Sequence, residues 1–138
     1  MFSWDSYVSK KDCPEDIKIK SIALFNASSY CCLDIVDSLI IDGANVNEKN
    51  SNNETPLYAA CYWGHVDMVK LLLRYNADIC DKNNDGNTPM MIARQKNRND
   101  VVKSLRNEMN KRIYIMSLVI NHDVLKYHVI KKIDICLL

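Results

Sequence analysis

Apolar residues recur along this chain in short clusters that repeat at an interval of 33 residues. Leu57, Ala60, Val69, Leu72, Ala77 and Ile79 are matched 33 positions earlier by Leu24, Ala27, Val36, Leu39, Ala44 and Val46. Moving forward by the same step, Ala60, Met68, Val69 and Leu72 meet Ala93, Val101, Val102 and Leu105. Small residues fall on small ones, and branched apolar residues fall on apolar ones. Within one unit, Leu57, Ala60 and Cys61 predict a short first helix with a small-residue face, and Val66, Val69, Leu72 and Leu73 predict a second. Gly64 between them is suited to the left-handed turn of a tight helix–helix link. Asn76 stops the second helix, as Gly43 does one unit earlier. The polar run from Asp78 to Asn87, with Asp85-Gly86 at its tip, predicts a projecting β-turn or hairpin. Helices this short cannot bury an apolar face alone, so each pair needs a neighbour stacked on it.

The stretch 54–88, ETPLYAACYWGHVDMVKLLLRYNADICDKNNDGNT, resembles one complete ankyrin repeat. Thr55-Pro56-Leu57 opens it and Thr88-Pro89-Met90 opens the next, at the period of that family. The resemblance implies an all-α solenoid of helix-turn-helix units with projecting β-turn or hairpin loops. It divides the chain into an N-terminal cap segment (1–18), a degenerate first repeat (19–51), a second repeat (52–84), a third, cap-like repeat (85–117) and a C-terminal tail (118–138). Three departures matter. Tyr58 and Met91 stand where the family carries a histidine, which predicts one polar contact fewer in each turn. Cys31-Cys32 stand where Gly64-His65 stand later, and Asn97 replaces the glycine. Ser104 and Arg106 interrupt the leucine row, as expected of a last repeat with no successor.

Asp12-Cys13-Pro14-Glu15 reads as a capping box, which predicts one extended first helix through Phe25. The tail 118–138 carries no signature of the family, and its Val, Ile and Tyr content predicts that it folds back on repeat three.

Composition changes this picture little. The net charge of +1 points to no partner in bulk. Its distribution is uneven: residues 1–93 hold 8 Lys/Arg against 13 Asp/Glu, and residues 94–138 hold 10 against 4. Six cysteines, without an apolar leader at Met1 to Asp16, read as reduced thiols in the cytoplasm or nucleus. The apolar run Ile113 to Ile120 is too short to span a bilayer, so no membrane association is expected. Asp81 to Gly86 copies the opening of a calcium loop, but Ile92 stands where the bidentate glutamate belongs. The cysteines form no pair at zinc-ligand spacing, and Cys31 and Cys32 have no base or orienter in the pattern. The expectation is therefore no catalytic residue, no metal and no cofactor.

Function on a repeat scaffold is a property of its surface. The resemblance implies recognition of a protein partner by a monomer, through the concave face of the first helices and the hairpin tips. The two residues before each helix–helix turn supply Tyr62-Trp63, Ser29-Tyr30 and Gln95-Lys96. The tips supply Ser51, Asn52 and Glu54, then Asn84, Asp85 and Asn87. Tyr30, Tyr62 and Trp63 are expected to form an aromatic patch, the composition typical of interface hot spots. The alternative is nucleic-acid association through Arg94, Lys96, Arg98, Lys103, Arg106, Lys111 and Arg112. The weight of Asn, Ile and Lys, with the decayed repeats, also resembles poxvirus ankyrin proteins and suggests a viral or parasite protein that modulates a host.

The register makes a stability prediction. Ala60 sits at the position occupied by Ala27 and Ala93, where neighbouring first helices approach. Ala60→Leu is expected to overpack that contact and to cost about 1–3 kcal/mol in thermal melts. A melt equal to the parent's would refute the register.

Overall fold

The computed structural model describes residues 14–119. They form six helices: α1 (Pro14–Ser29), α2 (Leu33–Ile41), α3 (Pro56–Trp63), α4 (Val66–Arg74), α5 (Pro89–Gln95) and α6 (Asn99–Val119). Each consecutive pair is one repeat. The first helices α1, α3 and α5 pack side by side as one layer, and α2, α4 and α6 form the second. No strand occurs among the described residues, so the all-α solenoid expected from the pattern is what forms. The tail expected to fold back on repeat three consists mainly of residues 120–138, outside those described.

The periodicity maps directly onto burial. Leu24, Leu57 and Met90, at equivalent positions, are fully buried, and Ala27, Ala60 and Ala93 form the small-residue contact between first helices. In the outer layer, Val36 and Val69 are fully buried, while Val102 in the last repeat is only half-buried. Conversely, Met68 and Val101 are buried whereas their counterpart Ile35 in the first repeat is exposed. One position thus faces the following repeat and its neighbour faces the preceding one, and each loses its cover where the described stack ends.

Local chemistry sets the element ends. Thr55 Oγ1 accepts from the Tyr58 amide and Thr88 Oγ1 from the Met91 amide, both at 3.2 Å. Proline follows at the first helical position, where no N–H is needed. The helix–helix turns place Cys31, Gly64 and Asn97 at φ of 60°, 80° and 56°, so one left-handed position recurs in all three repeats. Second helices stop at a second such position, Gly43 in the first repeat and Asn76 in the next. The equivalent residue in repeat three is Met109, which is buried and helical. With no residue there that tolerates the left-handed turn, α6 runs on for 21 residues, against 9 for α4.

Two helices run across the divisions drawn from the sequence. The boundary at 117 is crossed by α6, so Leu118 and Val119 belong to the helix rather than to a separate tail. Likewise α1 begins at Pro14 and runs through the boundary at 18, the extended first helix that the capping residues predicted. The extension of α6 is tied back by Arg112, which pairs with Glu108 at 3.2 Å and reaches the carbonyls of Leu73 (3.5 Å), in the last turn of α4, and Ala77 (3.4 Å), just beyond it. Its last residues, Tyr114, Ile115, Met116, Leu118 and Val119, are exposed. Among the described residues no helix is long and apolar enough to cross a membrane.

A Cβ at Gly64 would sit 2.7 Å from Arg98 Cδ, in a backbone conformation that already disfavours one. Gly64→Ala should cost about 1–2 kcal/mol from backbone strain alone, with a further loss if Arg98 is displaced. Asn97→Gly, at the equivalent but exposed position, should be neutral or stabilise by up to about 1 kcal/mol. Equal melts for Gly64→Ala and wild type would contradict the shared left-handed register.

Candidate interaction surface

Three neighbouring side chains dominate the first-helix surface. Tyr62 and Trp63 close α3, with ring centroids 5.2 Å apart in an edge-to-face arrangement. Lys96, at the end of α5, places its ammonium 4.5 Å from the Tyr62 ring centroid. Tyr62 is therefore held from both sides and half-buried, while Trp63 leaves 53% of its surface open. Tyr30, at the end of α1, is 80% exposed. The expected patch thus consists of a packed Tyr62–Trp63–Lys96 group and a separately exposed Tyr30.

The turns beneath are fixed by bonds that repeat with the fold. His65 Nε2 donates to the Ser29 carbonyl at 2.9 Å, and Arg98 Nε donates to the Tyr62 carbonyl at 3.3 Å. His65 and Arg98 are 33 residues apart, as are Ser29 and Tyr62. Repeats two and three therefore each tie their helix–helix turn to the end of the preceding first helix. Arg98, counted among the basic residues of the nucleic-acid alternative, is engaged in this link, and Arg112 in the one to α4.

The hairpin tips rest on two residues that the sequence analysis did not single out. Asn83 Oδ1 accepts from the amides of Asp85 (3.1 Å) and Asn87 (2.8 Å). Asn50 Oδ1 does the same for Asn52 and Glu54, both at 2.9 Å. Asn50 and Asn83 share a repeat position, and that recurrence was the available signal. The tips are also stitched together: the Asn84 amide donates to the Asn52 carbonyl at 3.0 Å and Asn84 Nδ2 to the Ser51 carbonyl at 3.2 Å. Asn84 thereby links the two tips through an exposed side chain, whereas Ser51 and Asn52 contribute backbone carbonyls and keep exposed side chains. Glu54 accepts from Asn50 Nδ2 at 2.8 Å. Gln95 Nε2 reaches Asn87 Oδ1 at 3.4 Å, joining the end of α5 to its own tip. Asp85 is exposed.

Tyr58 departs from the expected loss of a polar contact. Its hydroxyl accepts from Asn83 Nδ2 at 3.1 Å, so the tyrosine links α3 to the following hairpin. Met91, with no polar group, has no such bond to make. Elsewhere Tyr75 donates to Asp37 Oδ1 at 2.5 Å, joining repeats two and one across the outer layer. Cys31, Cys32 and Cys61 are free thiols, and burial pushes the Cys61 thiol far above its ordinary range. Cys80, half-buried on the loop after α4, is disulfide-bonded, which corrects the expectation of a reduced thiol at that residue.

The arrangement is that of a helical repeat stack that leaves Tyr30 and Trp63 exposed at the ends of first helices and polar side chains exposed at the loop tips. Comparison with known families agrees: residues 24–117 match the model described as ankyrin repeats (3 copies), and the chain belongs to the ankyrin-repeat family. Ankyrin repeats are generally protein–protein interaction modules. No curated protein matches the chain.

Desolvation first, then the nearby Glu54 and Asp85 carboxylates, raise the Tyr58 phenol above its ordinary 10.0. A raised folded-state pKa favours the protonated form, so this contribution is fully present below pH 10 and is lost as pH rises through the shifted value. Tyr58→Phe should remove the Asn83 bond and cost about 1 kcal/mol at neutral pH. It should also flatten the alkaline decline in melting temperature. An unchanged melt at both pH values would remove Tyr58 from the link.

Proposed function

We propose that this chain is a non-catalytic binding module that holds a protein partner against the first-helix face and the hairpin tips. The observation that carries the reading is the Tyr62–Trp63–Lys96 group, in which a tryptophan is half-exposed on a braced tyrosine at the end of the central first helix. A pre-organised aromatic side chain binds with little loss of rotamer freedom, which is why such residues dominate interface energetics. Asp85, Asn52 and Ser51 supply an exposed polar rim at the tips. Tyr30 extends the surface toward the first repeat. In the viral or parasite setting that the composition suggests, the partner is a host protein. The nucleic-acid alternative predicts retention on nucleic acid that falls steeply with salt.

A photoreactive phenylalanine analogue at position 63 should crosslink one dominant protein from a host lysate. The same analogue at Asp34, on the outer layer, should not capture that protein. With that protein purified, Trp63→Ala is expected to weaken binding by ~2 kcal/mol or more, and Tyr62→Ala to follow in the same direction. The melting temperature should hold for Trp63→Ala, and it should fall for Tyr62→Ala, whose ring packs against the core. Equal crosslinking from both positions, or affinity unchanged in Trp63→Ala, would overturn the reading.

A further inference from the structure

On the side opposite the first helices, the outer layer carries two grooves of different charge. The first, between α2 and α4, has a volume of about 560 Å³ and sets Asp34, Asp37 and Asp67 beside Lys70 and Arg74. The second, between α4 and α6, is about 390 Å³ and is lined by the same Lys70 and Arg74, now opposite Lys111, Ser104 and Asn107. Its single acid, Glu108, is paired with Arg112 at 3.2 Å. Lys70, Arg74 and Lys111 are exposed, and among the described residues none of them has an ion-pair partner.

The difference is written in the repeat positions. Asp37 and Lys70 are equivalent, so the wall that is acidic in the first groove becomes basic in the second. On the facing wall, Asn107 takes the position of Arg74, and the charge is restored by Lys111. Lys111 lines this groove only because α6 continues beyond the point where α4 stops. The extension therefore does more than close the stack: it adds a cation to a groove where two already stand.

We infer that the α4–α6 groove is a second docking site, separate from the first-helix surface, and that it takes an acidic peptide segment. Three cations on two walls bind carboxylates by mutual charge relief, and Ser104 and Asn107 between them offer hydrogen bonds to a peptide backbone. A nucleic acid fits less well. Its longer phosphate track, crossing the Lys70–Arg74 ridge, meets Asp34, Asp37 and Asp67 on the far side. A short acidic segment held within the groove does not. The inference stands whether or not the aromatic surface binds a partner, because the two surfaces share no residue.

The test uses the full chain and a fluorescein-labelled oligoglutamate peptide, followed by anisotropy at about 50 mM salt, where surface charges are only partly screened. Saturable binding is expected, and Lys70→Glu with Lys111→Glu should weaken it by at least about tenfold. Lys82→Glu, a single charge reversal of the same kind at a hairpin tip, and Trp63→Ala should leave it within about twofold, the range expected of a charge or contact outside the site. Amide resonances of Asn76, Ser104 and Asn107 should shift on titration. Absence of binding would overturn the inference, as would equal affinity of the double variant. A labelled oligothymidylate of matched charge that binds more tightly than the peptide would overturn it in favour of nucleic acid.

Discussion

The whole stack depends on the close approach of its first helices at Ala27, Ala60 and Ala93. A methyl group fills each of these buried positions, and the larger residues Leu24, Leu57 and Met90 are fully buried beside them. Helices of seven to nine residues, such as α3, α4 and α5, have little stability of their own in water. Their order comes from contact with the repeat before and the repeat after. The structure is therefore cooperative along one axis, and each inter-repeat bond matters beyond its own strength.

Those bonds are themselves periodic. His65 on the Ser29 carbonyl and Arg98 on the Tyr62 carbonyl are one link written twice with different side chains. A histidine and an arginine serve equally because the geometry asks only for an N–H at the end of a side chain of sufficient length. The same tolerance explains how cysteine, glycine and asparagine share the left-handed turn. Asparagine enters this region more readily than most residues, and Cys31 bears the larger cost. The first repeat accepts that cost where the family pattern has glycine.

What was legible in the sequence was whatever the fold demands at every repeat: Thr-Pro starts, the small residue, the apolar rows and the left-handed stops. The Asn50 and Asn83 turns were equally periodic but were hidden in runs of asparagine and aspartate, where composition masks position. The Tyr58–Asn83 bond was illegible for another reason. It joins residues 25 apart through a side chain the family does not use, so no pattern announces it. The length of α6 followed from a missing signal, the absence of a left-handed residue at Met109, which a search for motifs passes over. Of the candidate surface, the Tyr62–Trp63 pair was legible from its place before the turn. The bracing by Lys96 and the structural use of Asn84 were not, because both depend on how far adjacent repeats are offset.

Conserved repeat positions are committed to stacking, so recognition must use the positions where repeats differ. Ser29, Tyr62 and Gln95 occupy one such position, and Tyr30, Trp63 and Lys96 the next. Of these side chains only Tyr62 packs against the core, and Lys96 reaches back over it and converts two variable positions into one rigid group. The outer layer follows the same logic, since Asp37, Lys70 and Lys103 share a position and differ in sign. A scaffold that fixes the backbone at intervals of 33 residues thereby leaves its variable side chains at fixed offsets from one another. Such side chains need little further ordering on contact with a partner, which lowers the entropic cost of binding.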